Sequence, residues 1–198
     1  MPLYIRISLS LSFVLSSEAV FIMVSRSSYS KYIAVAAVFS FIGDMIMANV
    51  INLKDKRLIG GITFFFGTHI FLITGYNKTV SEAGGSFIYL ISTSIILILF
   101  FILLWLKLIL RTRSDIKLRL GALIYGITIS IMVSCSFNLA LQAGFKFLLT
   151  FFGAVLFLLS DSLIAIGEIA GIEIKYNAIK VWITYFLAQI FIIYTGIL

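Results

Sequence analysis

Seven apolar stretches, each about as long as a helix must be to cross a bilayer, constrain this chain more than anything else in it. A helix spans the hydrocarbon core with about 20 mostly apolar residues, and the stretches fall at roughly 4–24, 30–52, 57–75, 85–108, 119–141, 145–168 and 177–197. What separates them is short: "SRSSYSK", "NLKDKR", "GYNKTVSEAGGS", "RTRSDIK" and "GEIAGIEIKYN". No polar segment remains that could form a soluble domain, a lid or a linker. Of the 198 residues, 62% are hydrophobic and 12% charged, with one proline, which is more apolar surface than a water-soluble domain of this size can hide. The expected fold is all-α, a polytopic transmembrane bundle of about seven spans forming a single integral membrane domain over 1–198. Arg6 ahead of an apolar run and the small-x-small tripeptide "SEA" have the form of a signal peptide. Apolar sequence nevertheless continues through Val24, so the first stretch reads as an uncleaved span.

The net charge of +7 is a matter of topology rather than of nucleic acid. With seven spans, Arg6, Lys54, Lys56, Arg57, Lys107, Arg111, Arg113, Lys117, Arg119, Lys175 and Lys180 fall on one side, and only Arg26, Lys31, Lys78 and Lys146 on the other. The positive-inside rule then puts the N-terminus in the cytoplasm and the C-terminus outside. The same basic excess can meet anionic lipid headgroups. Cys135 is alone, so no intrachain disulfide forms, and one Cys with one His does not make the usual zinc cage. No metal or cofactor is expected. A bacterial cytoplasmic membrane is the expected location, on the compactness of the chain and the lack of a retention tail.

Carboxylates inside such spans are costly, at least about 2.5–3.5 kcal/mol each on insertion scales, and point to function by default. Two stand out, Asp44 in "FSFIGDMIMA" and Asp161 in "FLLSDSLIA". Aligning them exposes an internal repeat: "FIGDMIMA" over "LLSDSLIA", followed by "FFFGTHIFLITG" over "TYFLAQIFIIYTG". Spans 2 and 3 are thus echoed by spans 6 and 7, and His69 falls opposite Gln189. Each aspartate lies roughly 21–24 Å along a helix descending from the outer side, and so near the cytoplasmic boundary at one common depth. If spans 2 and 6 are neighbours, the two face each other across a cavity. Two carboxyl groups sharing a low-dielectric site do not both ionise readily, so such a pair offers one proton donor and one base. The plainer alternative is that each aspartate hydrogen-bonds a neighbouring helix and braces the bundle.

His69 lies roughly 18 Å from the cytoplasmic end of its span, and Gln189 reaches a similar depth; either can orient a water or bond an aspartate. Tyr125, Asn138 and Tyr185 are further polar residues of an interior, where packing with one satisfied hydrogen bond is the simpler role. Ser40 and Ser160 lie near the aspartates, but no G-x-S-x-G elbow, H-E-x-x-H or phosphate-binding loop is present.

"FSFIGDMIMA", "FFFGTH" one span later, "FGAVLFLLSDSLIA" and "TYFLAQIFI", in that order and spacing, resemble the YhhN-type family of membrane lysoplasmalogenases from about residue 35 onward. "LIYGITISIM" at 123–132 is similar to a tyrosine and methionine pattern of the same family. Members usually have eight spans, with Lys-Pro opening the second, and a tyrosine three residues after the histidine, where this chain has Leu72. The resemblance implies hydrolysis of the vinyl ether bond of a lysoplasmalogen to a fatty aldehyde and a glycerophospho-ethanolamine or -choline. It further implies that Asp44 and Asp161 act as an acid/base pair, and that His69, Tyr125, Tyr185 and Gln189 line the lysophospholipid site. Read from the residues alone, a proton-coupled transporter using the same aspartates is the alternative, and a seven-helix receptor or structural subunit a third.

Overall fold

The computed structural model describes residues 3–110, 112 and 114–198, without the side chain of Asp55; Arg111 and Arg113 of the basic cluster lie outside them. The described chain is helical, and seven of its helices are long and apolar enough to cross a membrane. They are α1 (Leu3–Val24), α2 (Ser28–Met47), α3 (Arg57–Glu82), α4 (Ile88–Leu108), α5 (Ile116–Gln142), α6 (Phe145–Ile169) and α7 (Asn177–Tyr194). This is an integral membrane bundle of the expected class.

Local chemistry sets several helix ends. Ser27 caps α2, its hydroxyl accepting the Ser30 N–H at 3.2 Å, and the Asp115 carboxylate caps α5 by accepting the Lys117 N–H at 3.1 Å. Two expected boundaries are corrected. The second span stops at Met47 rather than 52, because Asn49 turns the chain with φ 61° and leaves Val50 and Ile51 exposed. The third runs to Glu82 rather than 75, absorbing most of "GYNKTVSEAGGS". One face of its extra turns enters the core, with Tyr76 and Val80 completely buried while Lys78, Ser81 and Glu82 stay exposed, so the core holds helical a stretch whose polar composition reads as a loop.

The tightest partnerships are the antiparallel pairs α2–α3 and α6–α7, the two units of the sequence repeat, with α5 packed against α3 and α6 between them. A Cβ on Gly153 of α6 would stand 2.9 Å from Ile192 and 3.0 Å from the Ala188 carbonyl of α7, so only glycine permits that approach. At the end of the bundle away from the cavity the Tyr29 hydroxyl donates to the Ile192 carbonyl at 2.6 Å and meets Thr150 at 2.7 Å, tying α2 to α6 and α7. The main core runs through Leu72, Tyr76, Met132, Leu139, Phe157 and Ile192. By contrast α4 packs almost solely on α5, and Trp105 is its one buried residue. Its remaining apolar surface is left for lipid.

Candidate active site

Asp44 and Asp161 come to one cavity. It has a volume of about 1000 Å³ and lies at the basic end of the bundle, walled by α1, α2, α3, α6, α7 and the 171–176 segment. Each aspartate sits in the second half of its helix, three residues before the end of α2 and eight before the end of α6, and neither helix breaks at the carboxylate.

Each carboxylate is held by one oxygen. Asp44 Oδ2 accepts the Ser10 hydroxyl at 2.6 Å and the Tyr185 hydroxyl at 2.6 Å. Behind it, Ser40 and Tyr185 share a hydrogen bond of 2.8 Å, and the Gln189 amide donates to both, at 2.9 Å and 3.1 Å. Asp161 Oδ2 accepts the Tyr125 hydroxyl, which in turn meets His69 Nε2 at 2.9 Å; that nitrogen is 3.5 Å from the carboxylate oxygen. Among the described residues nothing donates to the Oδ1 atom of either aspartate, although both residues line the cavity. Protein donors thus anchor each carboxylate through one oxygen only.

The four residues expected around the aspartates are therefore all assembled with them, in a crossed manner. Asp44 of the first repeat unit accepts from Tyr185 of the second, which Gln189 backs in turn, and Asp161 of the second is reached by His69 of the first, with Tyr125 of α5 interposed. The corresponding positions His69 and Gln189 support opposite carboxylates. An aromatic wall stands between the two networks: Phe157 meets His69 edge-on with ring centroids 4.9 Å apart, and Tyr185 in the same manner at 5.5 Å. Phe65 packs edge-on against both Phe157 and Tyr185.

On the far side of Asp161 lies a second, apolar cleft, lined by residues of α3, α4, α5 and α6 including Ile62, Phe101, Trp105, Ala122 and Ala165. Asp161 and Phe65 line both spaces. Because α3 and α4 do not pack closely on each other, this cleft borders the lipid side of the bundle. At Gly126 a Cβ would collide with the tip of the Phe101 ring at 1.8 Å, so glycine there lets that ring pack against α5.

Asn138 is not part of the site; it donates to the Ser86 carbonyl at 3.1 Å, near the C-terminal end of α5. Ser160 lines the cavity but donates to the Val181 carbonyl at 3.1 Å, which makes it a tie between α6 and α7. Three participants escaped the sequence reading. Ser10 is one of several serines in the first span, and nothing local distinguishes it. Arg6 reads as a topology charge. Trp182 carries no distinguishing signal in the sequence, yet its ring lies under the Arg6 guanidinium at 5.0 Å, on the cavity wall.

No curated protein matches this chain, and neither does any solved structure. The profile of the YhhN family does, over residues 3–196. The likeness expected from about residue 35 thus takes in α1 as well, which agrees with Ser10 of that helix bonding an aspartate. On a match over nearly its whole length, the chain belongs to the YhhN family, the lysoplasmalogenase family.

Proposed function

We propose that the protein hydrolyses the vinyl ether bond of a lysoplasmalogen in the cytoplasmic leaflet of a bacterial membrane. The observation that carries this reading is the pair of aspartates on one water-accessible cavity, each anchored by protein donors through one oxygen only. Cleavage of a vinyl ether begins with a proton delivered to the β-carbon, which leaves an oxocarbenium ion at the carbon bonded to oxygen. Water adds to that carbon and loses a proton, and the hemiacetal collapses to a fatty aldehyde and the glycerol hydroxyl. The reaction needs one protonated aspartic acid, one carboxylate to face the cation and take the proton from water, and a dry wall on the chain side.

The two spaces suit the two halves of such a substrate. The polar cavity takes water and the headgroup, the apolar cleft takes the alkenyl chain, and Asp161 stands where they meet. Depth agrees as well, since a vinyl ether lies just below the headgroup and the aspartates just inside the basic end. A carrier using the same aspartates would be expected to break its helices at the binding site, whereas α2 and α6 run on through Asp44 and Asp161.

The test is aldehyde release from lysoplasmenylethanolamine by protein purified in detergent. Turnover by the wild type and its loss in Asp44→Asn and Asp161→Asn, at unchanged melting temperature, is the expected result. A folded wild type that produces no aldehyde, but moves protons with a solute in liposomes, would replace the hydrolase with the carrier.

A further inference from the structure

Among the described residues Arg6 is the guanidinium in the cavity that forms no ion pair within 4 Å, although Asp44 acts on it electrostatically from further off. Arg57, the other, donates to Glu168 at 2.8 Å and to the Met47 carbonyl at 3.1 Å. Arg6 accepts no such pairing: no carboxylate lies within 4 Å of it among the described residues, and its buried Nε has no hydrogen-bond partner. A charge needed only for topology would snorkel outward to the membrane surface. Arg6 instead turns inward from α1, stacks on Trp182 of α7 and lines the cavity that holds both aspartates. With the guanidinium held 5.0 Å over the Trp182 ring and its Nε without a partner, its N–H donors can meet an anion in the cavity.

Its position along α1 is informative. Ser10, whose hydroxyl bonds Asp44, is four residues further on, one helical turn and about 6 Å of rise from Arg6. In a lysoplasmalogen, six bonds separate the vinyl carbon on oxygen from the phosphorus, roughly 7 Å when extended. A lipid whose vinyl ether reaches Asp44 therefore carries its phosphodiester to the level of Arg6. The other acidic groups of the cavity do not compete there: Glu168 is paired with Arg57, and Glu173 lies in the exposed 171–176 segment at the mouth.

We infer that Arg6, braced by Trp182, is the seat of the substrate's phosphodiester, and so selects a phospholipid over an uncharged glyceryl ether and sets the depth at which its vinyl ether meets the aspartates. This rests on the hydrolase reading above, but it makes Arg6 a binding and positioning residue whose function can be measured without turnover.

The experiment uses the full-length protein in detergent and intrinsic fluorescence, with Trp182→Phe identifying the part of the signal that comes from Trp182. The probes are 1-acyl lysophosphatidylethanolamine, which has no vinyl ether to cleave; a monoacylglycerol of the same chain, which has no phosphate; and inorganic phosphate. The lysophospholipid should saturate the Trp182 signal and bind at least about tenfold more tightly than the monoacylglycerol, as a charge-assisted hydrogen bond predicts. Arg6→Gln should abolish that difference, and Arg6→Lys should restore part of it. In aldehyde release, Arg6→Gln should lower kcat/KM by at least about tenfold, through a higher KM from the lost anion contact and a lower kcat from the lost depth. Equal binding of the two lipids by wild type overturns the inference even if every variant misfolds. So does an Arg6→Gln protein that still prefers the phospholipid. Inorganic phosphate binding as tightly as the lysophospholipid would overturn the lipid headgroup as the source of the anion. Absence of aldehyde from wild type would strike the hydrolase reading alone, since the titrations decide the seat without it.

Discussion

His69 of α3 and Asp161 of α6 stand 3.5 Å apart with the Tyr125 hydroxyl bridging them, while Gln189, which corresponds to His69 in the repeat, supports Asp44 through Tyr185. The two repeat units thus exchange their supporting residues, so that neither carboxylate is positioned by its own helix pair. This exchange bears on how the site fails when one part is removed.

Tyr125→Phe takes the hydroxyl from Asp161 and leaves His69 Nε2 without its 2.9 Å partner. Turnover should fall about tenfold or more, and His69→Leu added to Tyr125→Phe should cost little beyond it, because the two act as one unit. Aldehyde release by the single and double variants measures this; full additivity would show that His69 works independently of Tyr125.

Ser10→Ala removes one of the two donors to Asp44 Oδ2 and leaves Tyr185 in place. A lost hydrogen bond of this kind is worth about 0.5–1.5 kcal/mol, so kcat/KM should drop about threefold to tenfold, far less than for Asp44→Asn. Steady-state kinetics of the two variants side by side decide it, and equal losses would mean that α1 itself is displaced.

Ala122→Phe puts a ring into the apolar cleft without touching the polar cavity. Long-chain substrates should then lose kcat/KM by about tenfold, while a short-chain lysoplasmalogen loses little, since uptake of a chain scales with apolar surface buried. A chain-length series is the measurement, and uniform loss at every length would dissociate the cleft from the substrate.

Gly153→Leu forces a side chain into a space where even a Cβ would stand 2.9–3.0 Å from Ile192 and Ala188. Overpacking of this sort costs about 1–3 kcal/mol, and here it also separates α6, which carries Asp161, from α7, which carries Tyr185. Thermal melting in detergent should show a clear fall in midpoint accompanied by lost turnover. An unchanged midpoint would place the α6–α7 contact further apart than described.

Hydropathy and charge are summed along a chain, which is why they were readable without a fold. The number of spans, their alternation, the placement of basic residues at one end and the oddity of Asp44 and Asp161 all follow from what each segment would cost in lipid. The family motifs lie in the same segments, so the aspartates, His69, Tyr125, Tyr185 and Gln189 could be named from order and spacing. What the linear pattern could not carry was lateral packing. Lipid is as apolar as leucine, so hydrophobicity does not say which face of a helix turns inward or which neighbour it meets. The burial of Tyr76 and Val80 that extends α3, the glycine contact that closes α6 on α7, and the crossing of supports between repeat units depend on that packing. So do Ser10 and Arg6: one is a serine among several and the other a basic residue at a helix start, until α1 lies beside α2 and α7 and brings them to Asp44 and Trp182.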